Sequence, residues 1–150
     1  MLSESARMSS AAEARFRVRA PASVARVVSV VALEPGCDDV LVRLSERSWK
    51  DVSFFPASAV SGCNRERLET VANADLVVMV AAAGADASAA ASIGRACSDR
   101  RVHTAAFVLR GPSTSDEALS KTLAQVRPWS LMVVIAGDEG YVEDILRSFR

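Results

Sequence analysis

Histidine is almost missing from this 150-residue chain, and His103 stands alone. Any nucleophile in the chain therefore has a single imidazole to draw on as a base. Cysteine is nearly as scarce. Cys37, Cys63 and Cys97 are odd in number, widely spaced and form no CxxC pair, which argues against a disulfide framework or a zinc site and points to a reducing cytoplasm. Net charge is absent too: eighteen basic side chains balance eighteen acidic ones, so no global field favours DNA, RNA or an anionic membrane. No apolar run approaches the roughly 20 residues needed to span a bilayer. The longest covers residues 76–83, and the N-terminal residues carry no continuous apolar core, because Glu4 and Glu13 interrupt them. The phosphate-binding fingerprints GxGxxG and GxxxxGKS do not occur.

What is present is alanine and valine in abundance, within a composition that is half hydrophobic and only 5% aromatic. Such a composition suits short β-branched strands covered by alanine-rich helices. After a leader over residues 1–20, expected to be flexible and carrying Arg7, Arg15, Arg17 and Arg19, residues 21–150 read as one α/β domain. Five strand-length apolar segments alternate with helical patterns. The strands are expected at residues 24–33, 52–55, 75–82, 104–109 and 131–136. The intervening helices are expected from Val40, preceded by Asp38 and Asp39, to about Ser48, from an Asn64 cap through Ala72, from Asp86 to about Asp99, and from Ser115 or Asp116 to a stop before Pro128. A last helix runs from Tyr141 to Phe149. Residues 40–44 also fit an alternating strand. Short turns between alternating elements predict a three-layer αβα sandwich. Its five-stranded, mainly parallel sheet is Rossmann-like or flavodoxin-like, with strand order 2-1-3-4-5.

That order puts a topological switch between the first and third strands, where ligands bind in open parallel sheets. The loops leaving those strands hold most of the candidate ligand-binding residues: Gly36 and Cys37 in one, and Ala82, Gly84, Asp86 and Ser88 in the other. Small side chains there let a ligand approach backbone amides at a helix N-terminus, where the dipole favours anions. The same loop is equally what close helix packing under an Asp86 cap would require. Arg110, after the fourth strand, is the basic side chain expected at this edge, facing an anion or simply Asp116. The acids Glu34, Asp38, Asp39, Asp86, Asp116, Glu117, Asp138 and Glu139 fall in or near the same turns. Asp38, Asp39 and Asp86 are weak candidates for a divalent cation, against the simpler reading that carboxylates stabilise helix N-termini.

Around the strand Ala74-Asp75-Leu76-Val77 the chain resembles the phosphate-loop region of the tubulin and FtsZ GTPases. In those proteins a strand of this type also leads into a small-residue loop and a helix. The resemblance covers one strand–loop–helix unit and would imply nucleotide binding. It departs at Ala82, Asp86, Ser88 and Ala90, where glycines and threonines would be needed, and at Glu34-Pro35-Gly36-Cys37, where a glycine-rich loop would be. It is a likeness of pattern, without membership. A receiver domain shares the topology but needs an acid pair directly ending the first strand, an Asp ending the third and a Lys after the fifth. None of the three is present. Cys37 sits ahead of a helix N-terminus, yet Glu34, Asp38 and Asp39 oppose its ionisation, and His103 belongs to the opposite sheet edge, about 16 Å away along a five-residue strand. These features lead us to expect a small cytoplasmic, non-catalytic module that binds a small anionic ligand or a protein partner. The alternative is a nucleotide-dependent, magnesium-assisted enzyme or a degenerate nucleotide-binding domain. No cofactor is specified by the sequence, and self-association is open through a short edge strand and alanine-rich helices.

Overall fold

A computed structural model of the chain describes residues 26–61 and 65–149. The expected leader, the first residues of the expected first strand (Val24 and Ala25), Gly62, Cys63 and the Asn64 cap lie outside the described residues. The strands are β1 (Val28–Ala32), β2 (Val52–Phe55), β3 (Leu76–Ala82), β4 (His103–Leu109) and β5 (Met132–Ala136). Five helices alternate with them: α1 (Asp38–Ser45), α2 (Arg65–Ala72), α3 (Ala89–Asp99), α4 (Asp116–Val126) and α5 (Glu139–Ser148). All strands are parallel and the order is β2-β1-β3-β4-β5. The chain is thus an α/β protein with helices on both sides of the sheet.

Alternation along the central strands builds two cores. Val31, Val77, Met79, Ala106 and Val108 point to one face, where Val71 and Ala72 of α2, Ile93 and Cys97 of α3, and Leu119, Leu123 and Val126 of α4 cover them. Val28, Val30, Val78, Val80, Ala105 and Phe107 point to the other face, under Leu41 and Leu44 of α1 and Val142 and Leu146 of α5. The period of two in strands and 3.6 in helices makes this division automatic. Each fully buried Val, Leu or Phe contributes about 1.5–3 kcal/mol of burial free energy, and Phe107, Leu44, Met79 and Ile93 head the set of side chains shut off from solvent. Because α1 leaves β1 toward one face and α3 leaves β3 toward the other, the crevice between those strands opens at the carboxyl edge.

Local chemistry places the helix ends. Ser115 Oγ accepts from the Ala118 amide at 3.1 Å, and Asp138 Oδ1 from the Tyr141 amide at 2.8 Å, so α4 and α5 start under side-chain caps. α3 begins at Ala89, three residues later than the sequence pattern suggests. The Asp86 carboxylate takes the Ser88 amide and a glutamine takes the Ala87 amide, holding these residues in a turn rather than a helix. α1 ends at Ser45, short of Ser48, and the chain then passes Trp49, whose indole N–H donates to the Leu44 carbonyl at 2.6 Å. At the amino edge Trp129 packs on Gly94 of α3 so closely that a Cβ there would lie 2.7 Å from its ring and from its own Cβ. The buried stripe of α3 is accordingly Ala90, Ile93, Gly94 and Cys97, with Ala89 and Ala96 only half-buried.

Candidate functional site

The loop from Ala83 to Ser88, between β3 and α3, is braced by its own protein. The Ala83 amide donates to the Leu109 carbonyl (2.8 Å), Gly84 to Thr122 Oγ1 (2.9 Å) and Ala85 to the Ala82 carbonyl (3.1 Å). Ala87 donates to Gln125 Oε1 (2.7 Å) and Ser88 to Asp86 Oδ1 (3.0 Å). Thr122 and Gln125 stand three residues apart on α4 and therefore share one helix face. Gly84 adopts φ +91°, where an L side chain is strained, and a Cβ there would also press on Ala118 at 3.3 Å. The Asp86 carboxylate accepts from both Ser88 and the Gln125 side-chain amide (3.1 Å); the Ser88 backbone bond, above all, holds its pKa below the ordinary value. Ser88 itself makes no side-chain cap.

The β1 loop is closed in the same manner. Glu34 folds back so that Oε2 accepts from the Gly36 amide at 2.6 Å, and a Cβ on Gly36 would collide with that carboxylate. The Cys37 amide donates to the Glu34 carbonyl at 3.1 Å. The Cys37 thiol is buried. Burial first, then the adjacent Glu34 carboxylate, push its pKa far above the usual thiol range, so it stays protonated. Oε1 of Glu34 is buried beside it and meets no conventional hydrogen-bond partner.

Asp38 Oδ1 accepts from the Ala57 amide at 2.8 Å, tying α1 to the loop after β2, while Asp39 projects into solvent. Arg110 lies against Asp116 at 2.6 Å. Glu139 receives Arg43 of α1 at 2.9 Å, which lowers the carboxyl pKa. Among the described residues no group of three or more His, Cys, Asp or Glu side chains is arranged to hold a metal ion.

A cavity of about 320 Å³ does open at this edge, lined by Leu33, Pro35, Asp38, Ala57, Ser58, Ser61 and Ala89. Among the candidate ligand and metal residues read from the sequence, Asp38 alone lines it. Gly84, Asp86 and Ser88 share one loop as expected, and Gly36 and Cys37 share the other. His103 is exposed at the opposite edge, at the first residue of β4. Sequence reasoning missed Thr122 and Gln125, whose partners are 38 residues away, as well as Ser58 and Ser61. Only the i, i+3 spacing on α4 hints at the first pair. A larger groove of about 480 Å³ lies between α1 and β2, lined mostly by Leu41, Val42, Trp49, Val52, Phe54 and Phe55. No helix among the described residues is long and apolar enough to cross a membrane. A comparison with models of known protein families finds no match, and a comparison with curated proteins finds none either.

Proposed function

We propose that the chain is a non-catalytic binding module that works in the cytoplasm and docks a protein, in preference to holding a small anionic ligand at the carboxyl-edge crevice. The observation that carries this reading is the occupation of the loop amides. A phosphate cradle needs free N–H groups at the helix N-terminus, whereas the amides of Gly84, Ala87 and Ser88 already serve Thr122, Gln125 and Asp86. The supporting observations concern charge. Arg110 is neutralised by Asp116, and the Cys37 thiol is buried and protonated, without an imidazole on its edge of the sheet. The cancelled net charge favours neither nucleic acid nor an anionic membrane as partner.

Thermal unfolding against nucleotides, dinucleotides and flavin mononucleotide, with and without Mg²⁺, tests the reading. The expected result is no shift with any nucleotide. A ligand at 100 times its dissociation constant would add about 2.7 kcal/mol of stability. A shift of that size, lost in Gly84→Val, would replace this reading with the nucleotide-dependent one.

A further inference from the structure

We propose that two copies of this chain pair through the outer edge of β5, antiparallel about a two-fold axis, joining their sheets into one of ten strands. The inference concerns the sheet edge and does not depend on how the crevice is used.

β5 pairs with β4 on one side, and no described strand lies on the other. Six large hydrophobic side chains are exposed among the described residues, and four of them gather here: Leu131 (76% exposed), Met132, Ile135 and Tyr141. Residues 131–136 contain no charge and no proline. Natural edges are blunted by such residues, because an open apolar edge is a template for pairing. The opposite edge follows that rule: β2 has only four residues, Lys50 and Asp51 precede it, and Pro56 closes it. The two edges of one sheet are therefore treated differently, and the unprotected one requires a cover.

The flanking helices suit a second copy. Glu139 and Glu143 mark the side of α5 that faces α1, through ion pairs with Arg43 and Arg47. At 100° per residue, Tyr141 and Ile145 fall on the other side, beside β5. On α4, Thr122 and Gln125 face the loop before α3, so Asp116, Ser120 and Arg127 fall beside the β5 edge. A two-fold pairing runs α4 antiparallel to its copy and brings Arg127 of each chain level with Asp116 of the other. The eleven-residue separation of these two, about 16 Å along the helix, matches the length of a five-residue strand. An uncharged strand laid against itself opposes no like charges. The exposed parts of Leu131, Met132, Ile135 and Tyr141 amount to on the order of 400 Å² per copy, half of the ~800 Å² per partner of a stable interface. The strand backbone and the helix flanks are available to supply the rest.

Light scattering on the eluting full-length chain, at roughly 1 to 100 μM, a range set to bracket micromolar association, tests the proposal. The expected mass is twice 15.9 kDa. Leu131→Lys and Ile135→Lys, at exposed positions, should each raise the dissociation constant by about 100-fold or more by placing a cation in the apolar seam between the copies, while circular dichroism shows the folded monomer. Arg127→Glu, which leaves the strand untouched, should weaken the dimer and reverse its response to salt, because screening then relieves a Glu–Asp repulsion. A wild-type chain that is monomeric throughout overturns the proposal, as does a dimer unmoved by both lysine variants. A monomer that dimerises only when residues 1–25 are deleted also overturns it, by assigning the edge to the chain's own N-terminal segment.

Discussion

Thr122→Val isolates the brace that holds the β3–α3 loop. The Thr122 side chain is fully buried, and its hydroxyl receives the Gly84 amide at 2.9 Å. Valine keeps the shape and deletes the acceptor. A buried donor left without a partner costs about 1–3 kcal/mol. Gly84 is itself exposed, so water replaces part of the bond, and the expected loss is about 1–2 kcal/mol. For a domain of this size that lowers the midpoint of thermal unfolding by about 3–6 °C. Urea unfolding gives the free energy, and amide hydrogen exchange reports the site: Gly84 should lose about tenfold in protection for each 1.4 kcal/mol. Thr122→Ser is the control. It also loses a methyl group and some stability, yet keeps the hydroxyl and should keep Gly84 protected. A Thr122→Val protein within about 0.3 kcal/mol of wild type, with Gly84 protection unchanged, would refute the claim that this hydroxyl holds the loop.

Two further outcomes follow from packing and titration. Gly94→Ala sets a methyl 2.7 Å from Trp129; the gain in helix propensity of about 1 kcal/mol is outweighed by overpacking of about 1–3 kcal/mol, so the variant should melt lower and shift the Trp129 fluorescence. Burial raises the Cys97 thiol from 9.0 to about 11. The unfolded chain therefore releases this proton first as pH rises. The stabilisation is complete below pH 9 and about 2–3 kcal/mol is lost by pH 11. Urea unfolding at pH 8 and pH 10.5 should show this loss on top of that of Cys37, whose thiol is raised further, so Cys97→Val should remove about half of the slope and leave the Cys37 part; an unchanged slope in that variant would remove Cys97 as a cause.

The fold was legible because its signals are local. Val-rich runs of five to seven residues, Pro56 and Pro128 as stops, and Ser115 as a cap act within a few residues of where they stand; α5 instead starts at Glu139, two residues before the expected Tyr141, because Asp138 caps it. Their alternation then leaves few topologies, and the order 2-1-3-4-5 is the one found. The boundary of α3 was not legible, because Gln125 decides it from another helix by taking the Ala87 amide. The state of the candidate site was hidden in the same way. Small residues and acids mark a loop at a helix N-terminus, but they do not show whether its amides are free. Thr122 and Gln125 settle that from 38 residues away, in a stretch of helix whose sequence reads as an ordinary amphipathic face.

This bracing has a consequence for affinity at the crevice. An anion using the amides of Gly84, Ala87 and Ser88 must first displace Thr122, Gln125 and Asp86, the last of them a carboxylate that also repels it. Three hydrogen bonds at about 0.5–1.5 kcal/mol each put roughly 1.5–4.5 kcal/mol between this loop and an open cradle. At 1.4 kcal/mol per factor of ten, binding is weakened by about ten- to a thousandfold before any contact is made. The acids along the edge offer little in compensation through a metal ion. Glu34 serves Gly36, Asp38 serves Ala57, Asp116 holds Arg110, Asp138 caps α5 and Glu139 holds Arg43. Asp39 and Glu117 point into solvent from separate helices, α1 and α4, on opposite faces of the sheet. Carboxylates engaged one by one in different turns cannot converge on a cation without breaking the turns they hold, so the charge at this edge acts on the fold before it can act on a ligand.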